Sequence, residues 1–398
     1  MSQTNKKHRA LIVGGGFGGL KTALELAKDS RFEITLISDE DDFRYYPSLY
    51  HTATGGSREV SSIPLSDIFA NTPEVNVVRA KAKSINREDK YLTTQDGNNY
   101  EYDVVVFALG MVINFFGIPG LENFAYGIKN IEDAEKLKKH LHKHIVSTKH
   151  PDLNYVIVGG GPTGVELSGV IGDYVKMICK KHGVKKQSIH VDLVEAADRL
   201  LPRMPKSVSR KITRKLSKKG VKIYLNSAVK SQSQDELLVN DKPIRSHTVV
   251  WTAGMSNNSF FSSQKFQLAP NHKVRVDQFL QTEPGIYVIG DNADTPYSGM
   301  AQTALYDGVY IANNLIRLAN NEPSEPYWAK KPIYVIPAGP NWAAVMWGRL
   351  HIYGRLGWML RRAADFVAYH DYEPWFRATK HWIAEYKTED LCDYCDKN

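Results

Sequence analysis

Cysteine is scarce in this chain, with Cys179, Cys392 and Cys395 the three among 398 residues. So few thiols cannot build a disulfide framework, and the low count fits a reducing compartment. Cys392-Asp393-Tyr394-Cys395 offers two thiolates, too few to close a tetrahedral zinc site, so no metal is expected. Long apolar runs are missing as well. No stretch reaches the roughly 18 consecutive apolar residues of a membrane-spanning helix. Little sequence precedes the first buried-strand pattern at Arg9, so no secretory leader is expected and the chain is placed on the cytoplasmic side. Acidic residues are in the minority: 51 Lys and Arg stand against 43 Asp and Glu, a net charge of +8. That balance favours lipid headgroups, nucleic acid or phosphorylated cofactors, or is ordinary solubility charge. No nucleic-acid-binding motif accompanies it, so no nucleic acid partner is expected.

What is abundant is glycine, in one pattern used twice. Gly14-x-Gly16-x-x-Gly19 follows the apolar run Ala10-Leu11-Ile12-Val13, and Gly159-x-Gly161-x-x-Gly164 follows Tyr155-Val156-Ile157-Val158. Each sits between a buried-strand pattern and a helical one. In such a unit the first glycine makes a tight turn. The second lets backbone approach a pyrophosphate, and the third lets helix and strand pack closely. The helix N-terminus then offers free N–H groups and its positive end to the phosphates. One such loop is a weak signal; two in the right context imply two dinucleotides. A bound flavin and a diffusing nicotinamide are the economical pair, and hydride transfer the chemistry they share.

The strand pattern Glu33–Ile37 ends beside Ser38 and Asp39, and either could meet an adenosine ribose at an offset of about 20 residues. Glu195 closes the pattern Ile189–Val194 in the second unit at a longer offset, which the basic stretch Lys180–Gln187 absorbs. Val104–Gly110 and Thr248–Gly254 are apolar strands ending at glycine turns; Gly285–Asp291 is a third, ending in an aspartate. The expected fold class is α/β: two Rossmann-like dinucleotide-binding domains, the NAD domain inserted in the FAD domain, plus a C-terminal amphipathic membrane-associating region. The expected boundaries are 1–115 and 257–325 for the FAD domain, 116–256 for the NADH domain and 326–398 for the C-terminal region.

Residues 128–150 read as a basic helix and connector ending at Pro151, and Pro323–Pro340 as an extended linker. Beyond it stand Trp342, Trp347, Trp358, Trp375 and Trp382, interleaved with Arg349, Arg355, Arg361, Arg362, Arg377, Lys380 and Lys387. Aromatic and basic residues alternating in short amphipathic segments suit the surface of an anionic membrane. The same tail could instead pack on the FAD domain or form a homodimer interface.

Further motifs are Tyr46-Pro47-Ser48-Leu49-Tyr50 with Ala53-Thr54-Gly55, Gly164-Val165-Glu166, Gly290-Asp291 and Ala301-Gln302-Thr303-Ala304. With the two loops they resemble the two-dinucleotide flavoprotein disulfide reductase-like group. Within it they are similar to type II NADH dehydrogenase, the single-subunit NADH:quinone oxidoreductase. The resemblance covers residues 9–310 and the general character of the tail. It implies FAD and NADH as cofactors, a membrane quinone as acceptor, and a peripheral position on the cytoplasmic face of the cell membrane. FAD would be held by Gly14, Gly16, Gly19, Ser38 or Asp39, Ala108, Gly110, Gly290, Asp291, Ala301 and Gln302. NADH would be held by Gly159, Gly161, Gly164, Glu195, Ala253 and Gly254.

Three residues are candidates for the reaction itself. Glu166 would stand at the nicotinamide–flavin contact, or serve only as a first-turn helix-dipole partner. Gln302 would lie where quinone docks, or be a core amide. The family's quinone motif has a second glutamine where this chain has Tyr306, which would border the pocket in its place. No cysteine pair follows either glycine loop, which argues against disulfide reduction and against sulfide oxidation. The expected function is non-proton-pumping NADH:quinone oxidoreduction, hydride passing from NADH to FAD and two electrons on to quinone. Two alternatives remain at this point. One is a soluble NADH:acceptor reductase feeding an electron-transfer protein, favoured by a lack of membrane association. The other is an NADH-responsive interaction protein similar to apoptosis-inducing-factor-like flavoproteins, favoured by slow turnover.

Overall fold

Strands rich in Val, Ile and Leu on both faces can lie only inside a sheet covered on both sides. Six strands form the first lobe, in the spatial order Gln281–Glu283, Ile286–Val288, Val104–Phe107, His8–Val13, Phe32–Ser38, Val75–Arg79. All its joints are parallel except the outermost, between Gln281–Glu283 and Ile286–Val288. The computed structural model describes residues 7–147, 152–184 and 188–385; Pro151, Gln187, Lys387, Cys392 and Cys395 lie outside them.

The second lobe is a four-stranded parallel sheet, in the order Val221–Tyr224, His190–Val194, Asn154–Val158, Thr248–Trp251. The chain leaves the first lobe through Met111–Ile113 and returns through Met255–Asn257. These two segments pair antiparallel, so both crossings share one ribbon. The basic stretch after it forms the helix Ile131–Ser147, buried through Ile131, Ala134, Leu137, Leu141 and Ile145 at helical spacing.

The tail is not a free appendage. The supposed linker ends in a strand, Tyr334–Pro337, because its backbone pairs with Ala343–Trp347, which in turn pairs with Leu350–Gly354. This sheet adds Ile336, Ala338, Ala344 and Met346 to the core of the second lobe. The helices Arg355–His370 and Trp375–Ala384 follow, and Tyr369, Tyr372 and Ala378 join the core of the first lobe. The tail therefore braces both lobes. Helix Arg355–His370 is also inverted: it buries Arg361, Arg362 and Asp365 and exposes Leu356, Met359 and Val367.

In the first lobe, helices Phe17–Leu26 and Ala301–Ala319 pack where Gly18 meets Gly308. A Cβ on Gly308 would lie 2.7 Å from the Gly18 carbonyl oxygen, and backbone cannot give way as a flexible side chain can. Gly308→Ala is therefore expected to destabilise the protein by roughly 1–3 kcal/mol, as overpacking does. Thermal unfolding should show a midpoint several degrees below wild type, and an unchanged midpoint would mean that the two helices part without cost.

Candidate active site

The two glycine loops are copies of one another in atomic detail. Gly14 N–H donates to Ile37 O at 2.8 Å, and Gly159 N–H donates to Val194 O at 2.8 Å. Both glycines have φ in the positive region, +121° and +114°, which side-chain-bearing residues rarely adopt. A Cβ on Gly19 or on Gly164 would stand 1.9 Å from the carbonyl oxygen of Gly14 or Gly159, so each third glycine is required by the helix–strand contact. A Cβ at Gly16 or Gly161 would meet nothing within 4 Å. Each of these middle glycines is the N-cap of its helix and has no side chain to occupy the first N–H donors. Both loops thus present an open, electropositive helix end, the arrangement a pyrophosphate needs.

The shared register settles which residues correspond. Ile37 stands where Val194 stands, so Ser38 occupies the position of Glu195. Ser38 is buried, and its hydroxyl accepts from Glu40 N–H at 3.3 Å. Asp39 lies one residue further out, 3.6 Å from Arg44. Glu195 accepts from Gly160 N–H and, at 2.7 Å, from Ala197 N–H, which fixes its carboxylate beside the second loop.

One cleft of 1740 Å³ runs between the lobes. That is well above the roughly 300–1,000 Å³ of a pocket for one small ligand, and it fits two extended dinucleotides. Gly14, Gly16, Ser38, Asp39, Ala108, Gly110, Gly290, Asp291, Ala301 and Gln302 line it from the first lobe. Gly159, Gly161, Glu166, Glu195, Ala253 and Gly254 line it from the second. Gly19 and Gly164 lie behind it, where they close the helix–strand contacts. Tyr306 is not brought to the cleft. Its neighbour Leu305 takes the wall position, and the Tyr306 ring lies beneath Lys330 Nζ, 5.0 Å from its centre. Gln302 Oε1 accepts from Ile333 N–H at 2.8 Å and so ties the approach to the tail sheet onto the cleft wall. No cysteine among the described residues lines the cleft.

Two residues that pattern reading passed over hold the first-lobe wall. Asp307 is fully buried on helix Ala301–Ala319. It accepts from Gly290 N–H at 2.9 Å and from the Tyr327 hydroxyl at 2.6 Å, and burial pushes its carboxyl up to about 6. Asn292 accepts from Gly110 N–H at 2.7 Å and donates to Gly110 O at 2.8 Å, clamping one glycine turn to the other. A carboxylate on the apolar stripe of a helix was the available signal for Asp307, since a buried charge needs partners. Asn292, in a polar turn, gave none.

The tail closes the cleft with a buried ionic group. Arg361 donates to the Asp365 carboxylate and, at 3.1 Å, to Pro47 O; Tyr45 donates to the other Asp365 oxygen at 2.8 Å. Arg361 and Asp365 line the cleft along with Tyr45, Tyr46, Tyr50 and Glu166. Burial pushes the Glu166 carboxyl up to about 8; Arg361 opposes the rise and Asp365 adds to it. Burial likewise raises Tyr50, again opposed by Arg361 and reinforced by Glu166. Glu166 and Tyr50 therefore face the cleft as neutral hydrogen-bonding groups at neutral pH, beside the Arg361–Asp365 pair.

Known proteins are similar to this chain in sequence or in fold. Type II NADH:quinone oxidoreductase of Staphylococcus saprophyticus is 28% identical over 351 residues, covering 82% of this chain and 86% of that protein. NDH2 from Plasmodium falciparum, solved in complex with NADH, has a similar fold: TM-score 0.87 at 18% identity, over 97% of this chain and 100% of that one. Sulfide:quinone oxidoreductase from Aquifex aeolicus is also similar in fold, with TM-score 0.75 at 19% identity, over 95% of this chain and 91% of that one. The profile of one family, pyridine nucleotide-disulphide oxidoreductase, matches residues 8–308, which include both glycine loops and the Gly290–Asp291 turn. On that match this chain belongs to the pyridine nucleotide-disulphide oxidoreductase family.

Proposed function

We propose that this chain is a non-proton-pumping NADH:quinone oxidoreductase working on the cytoplasmic face of a membrane. The observation that carries the reading is a single cleft joining two phosphate-cradling loops to a wall built by the tail. FAD, held by the first lobe, supplies the two-electron relay between NADH and the quinone. Gly14, Gly16 and Gly19 form the loop for its pyrophosphate, Ser38 or Asp39 meets its adenosine ribose, and Asp291 is suited to its ribityl hydroxyls. Ala108, Gly110, Gly290, Ala301 and Gln302 complete that wall. Gly159, Gly161 and Gly164 take the NADH pyrophosphate, while Ala253 and Gly254 bring backbone close to its nicotinamide.

Glu195 is the acceptor for the NADH ribose hydroxyls. Its carboxylate is pinned by two backbone N–H groups, so it cannot turn away from the additional phosphate of NADPH. Glu166 holds a proton on its carboxyl at neutral pH, next to Arg361 and Tyr50. It is thereby poised to give that proton at the cleft wall, and the carboxylate this leaves, beside the Arg361 guanidinium, can take one back. Gln302 acts as a positioning residue through its bond to Ile333. Tyr306, in the family's glutamine position, packs beneath Lys330 off the cleft wall, so its place at the quinone pocket is left to Leu305.

Membrane contact is read from the inverted helix. Leu356, Met359 and Val367 are exposed, as are Trp375 and Phe376 on the next helix, with Arg355 and Lys380 among them. Such a face is costly in water and suits an interface of lipid tails and anionic headgroups. No helix among the described residues is long and apolar enough to cross a membrane.

Steady-state oxidation of NADH with a short-chain quinone tests the reading. Wild type should favour NADH over NADPH, and Glu195→Gln should narrow the preference, each tenfold step being about 1.4 kcal/mol of differential binding. Equal use of both cofactors by wild type would remove Glu195 from this role, and failure to reduce any quinone would end the proposal.

Glu166 makes a separate prediction about stability. Its folded-state pKa of about 8 lies above the ordinary value of 4.5, so between them the folded chain binds more protons than the unfolded one. Stability from this group is full at low pH and is lost as pH rises towards about 8. The melting temperature of Glu166→Gln should therefore gain on wild type between about pH 5 and about pH 8. A difference that stays constant across that range would show that the carboxyl is not raised.

The lipid contact is tested by point substitution, because a chain cut after Pro340 would strip residues from both cores. Leu356→Asp with Met359→Asp should keep NADH:ferricyanide activity but lose liposome sedimentation and most activity with a long-chain quinone. Undiminished sedimentation would move the contact elsewhere.

A further inference from the structure

Every charged residue on helix Lys206–Lys218, in the second lobe, is basic. Val208, Ile212 and Leu216 bury its core face. The charges fall into two rows at a spacing of four. Lys211, Lys215 and Lys219, the residue after the helix, make the row that is engaged. Lys211 Nζ sits 3.7 Å above the Tyr353 ring, Lys215 Nζ lies 5.9 Å from the Trp342 ring centre, and Lys219 Nζ is 2.6 Å from the Asp173 carboxylate. Lys206, Arg210, Arg214 and Lys218 make the other row. All four are exposed, and among the described residues none has an ion-pair partner. The row is about 18 Å long at ~1.5 Å per residue. Like charges four apart on a helix repel each other, and no acid on the helix relieves them.

The engaged row fixes where the bare one stands. Tyr353 and Gly354 end the strand Leu350–Gly354 and lead directly into helix Arg355–His370, whose first turns expose Leu356 and Met359. One strand end thus joins the basic helix to the apolar face of the tail. At the other end of the same strand pair, Trp347 and Leu350 are 58% and 57% exposed. Exposed apolar side chains on the strand pair and helix that adjoin the basic helix suit headgroup and acyl chain together, which a phosphodiester backbone does not offer.

We propose that the Lys206–Arg210–Arg214–Lys218 row is a second membrane contact, carried by the nicotinamide-binding lobe and made to the phosphates of anionic lipid. The inference rests on the membrane-surface reading of the tail. A contact through the tail helices alone leaves the enzyme free to tilt about them. A contact on each lobe fixes the orientation of the cleft between them, so that the quinone side faces lipid and the NADH side faces water.

The test uses full-length, FAD-loaded protein and phosphatidylcholine vesicles with and without phosphatidylglycerol. The variant carries Lys206→Gln, Arg210→Gln, Arg214→Gln and Lys218→Gln together. Wild type should prefer the anionic vesicles, with a preference that weakens with salt. The variant should lose about tenfold or more of that binding while its NADH:ferricyanide turnover stays at the wild-type level. Independently of any variant, anionic but not neutral vesicles should slow acetylation of Lys206 and Lys218 in wild type. Wild-type partitioning by a folded variant, or unchanged reactivity of both lysines, overturns the inference and leaves the tail contact standing. A wild type that sediments with neither vesicle overturns both. A short DNA duplex bound by wild type as well as the vesicles are, and lost in the same variant, would reassign the row to nucleic acid.

Discussion

The contact between the third glycine of each loop and the carbonyl of the first is the constraint from which the rest of the site follows. At 1.9 Å from a would-be Cβ to that oxygen, no side chain fits at Gly19 or Gly164. Helix and strand can therefore approach closely enough for the helix N-terminus to emerge at the sheet's carboxyl edge. There the N–H groups of two helices open into one cleft, the crevice position that parallel α/β sheets reserve for ligands. Asn292, in the turn after the return strand, and Asp307, on the helix that follows, serve the same end, holding the Gly110 and Gly290 turns in place.

The tail adds what two such lobes lack. It couples them mechanically, with its sheet in one core and its helices in the other. It also brings a buried Arg361–Asp365 pair to a wall that glycines and small residues would otherwise leave bare. Removing one partner of such a pair costs roughly 3–5 kcal/mol, because the other charge is left uncompensated in a dry setting. The bonds from Arg361 to Pro47 O and from Tyr45 to Asp365 fix the helix in one rotation, with its charges inward. That rotation is why apolar residues point outward, and the proposed lipid contact is a consequence of it.

Much of this was legible in the residues. The loops, the strands that precede them, the glycine-ended strands at 104–110 and 248–254 and the return at 285–291 all appear as short-range patterns, and the sheets are built from them. The ambiguity between Ser38 and Asp39 was not legible. It depended on counting offsets along the chain, whereas the register of parallel strands equates Ser38 with Glu195 directly. Tyr306 was placed at the cleft by its position in a motif, but Leu305 takes the wall. Asp307 carried a faint signal and Asn292 none, since each acts through backbone groups far away in sequence.

The sequence by itself determined the local units: two tight glycine turns, each between a buried strand and a helix, and the apolar periodicity that makes those elements. These depend on φ, on side-chain size and on spacing over a few residues, all of which a single chain segment fixes. Only the tertiary structure decided how the tail is used. Its basic and aromatic residues read as one amphipathic surface, yet Arg361, Arg362 and Asp365 are buried while Leu356 and Met359 are not. Which face of a helix turns inward is set by the partners it meets. Here those are Pro47, Tyr45 and Glu385, brought beside it by the folding of the whole chain.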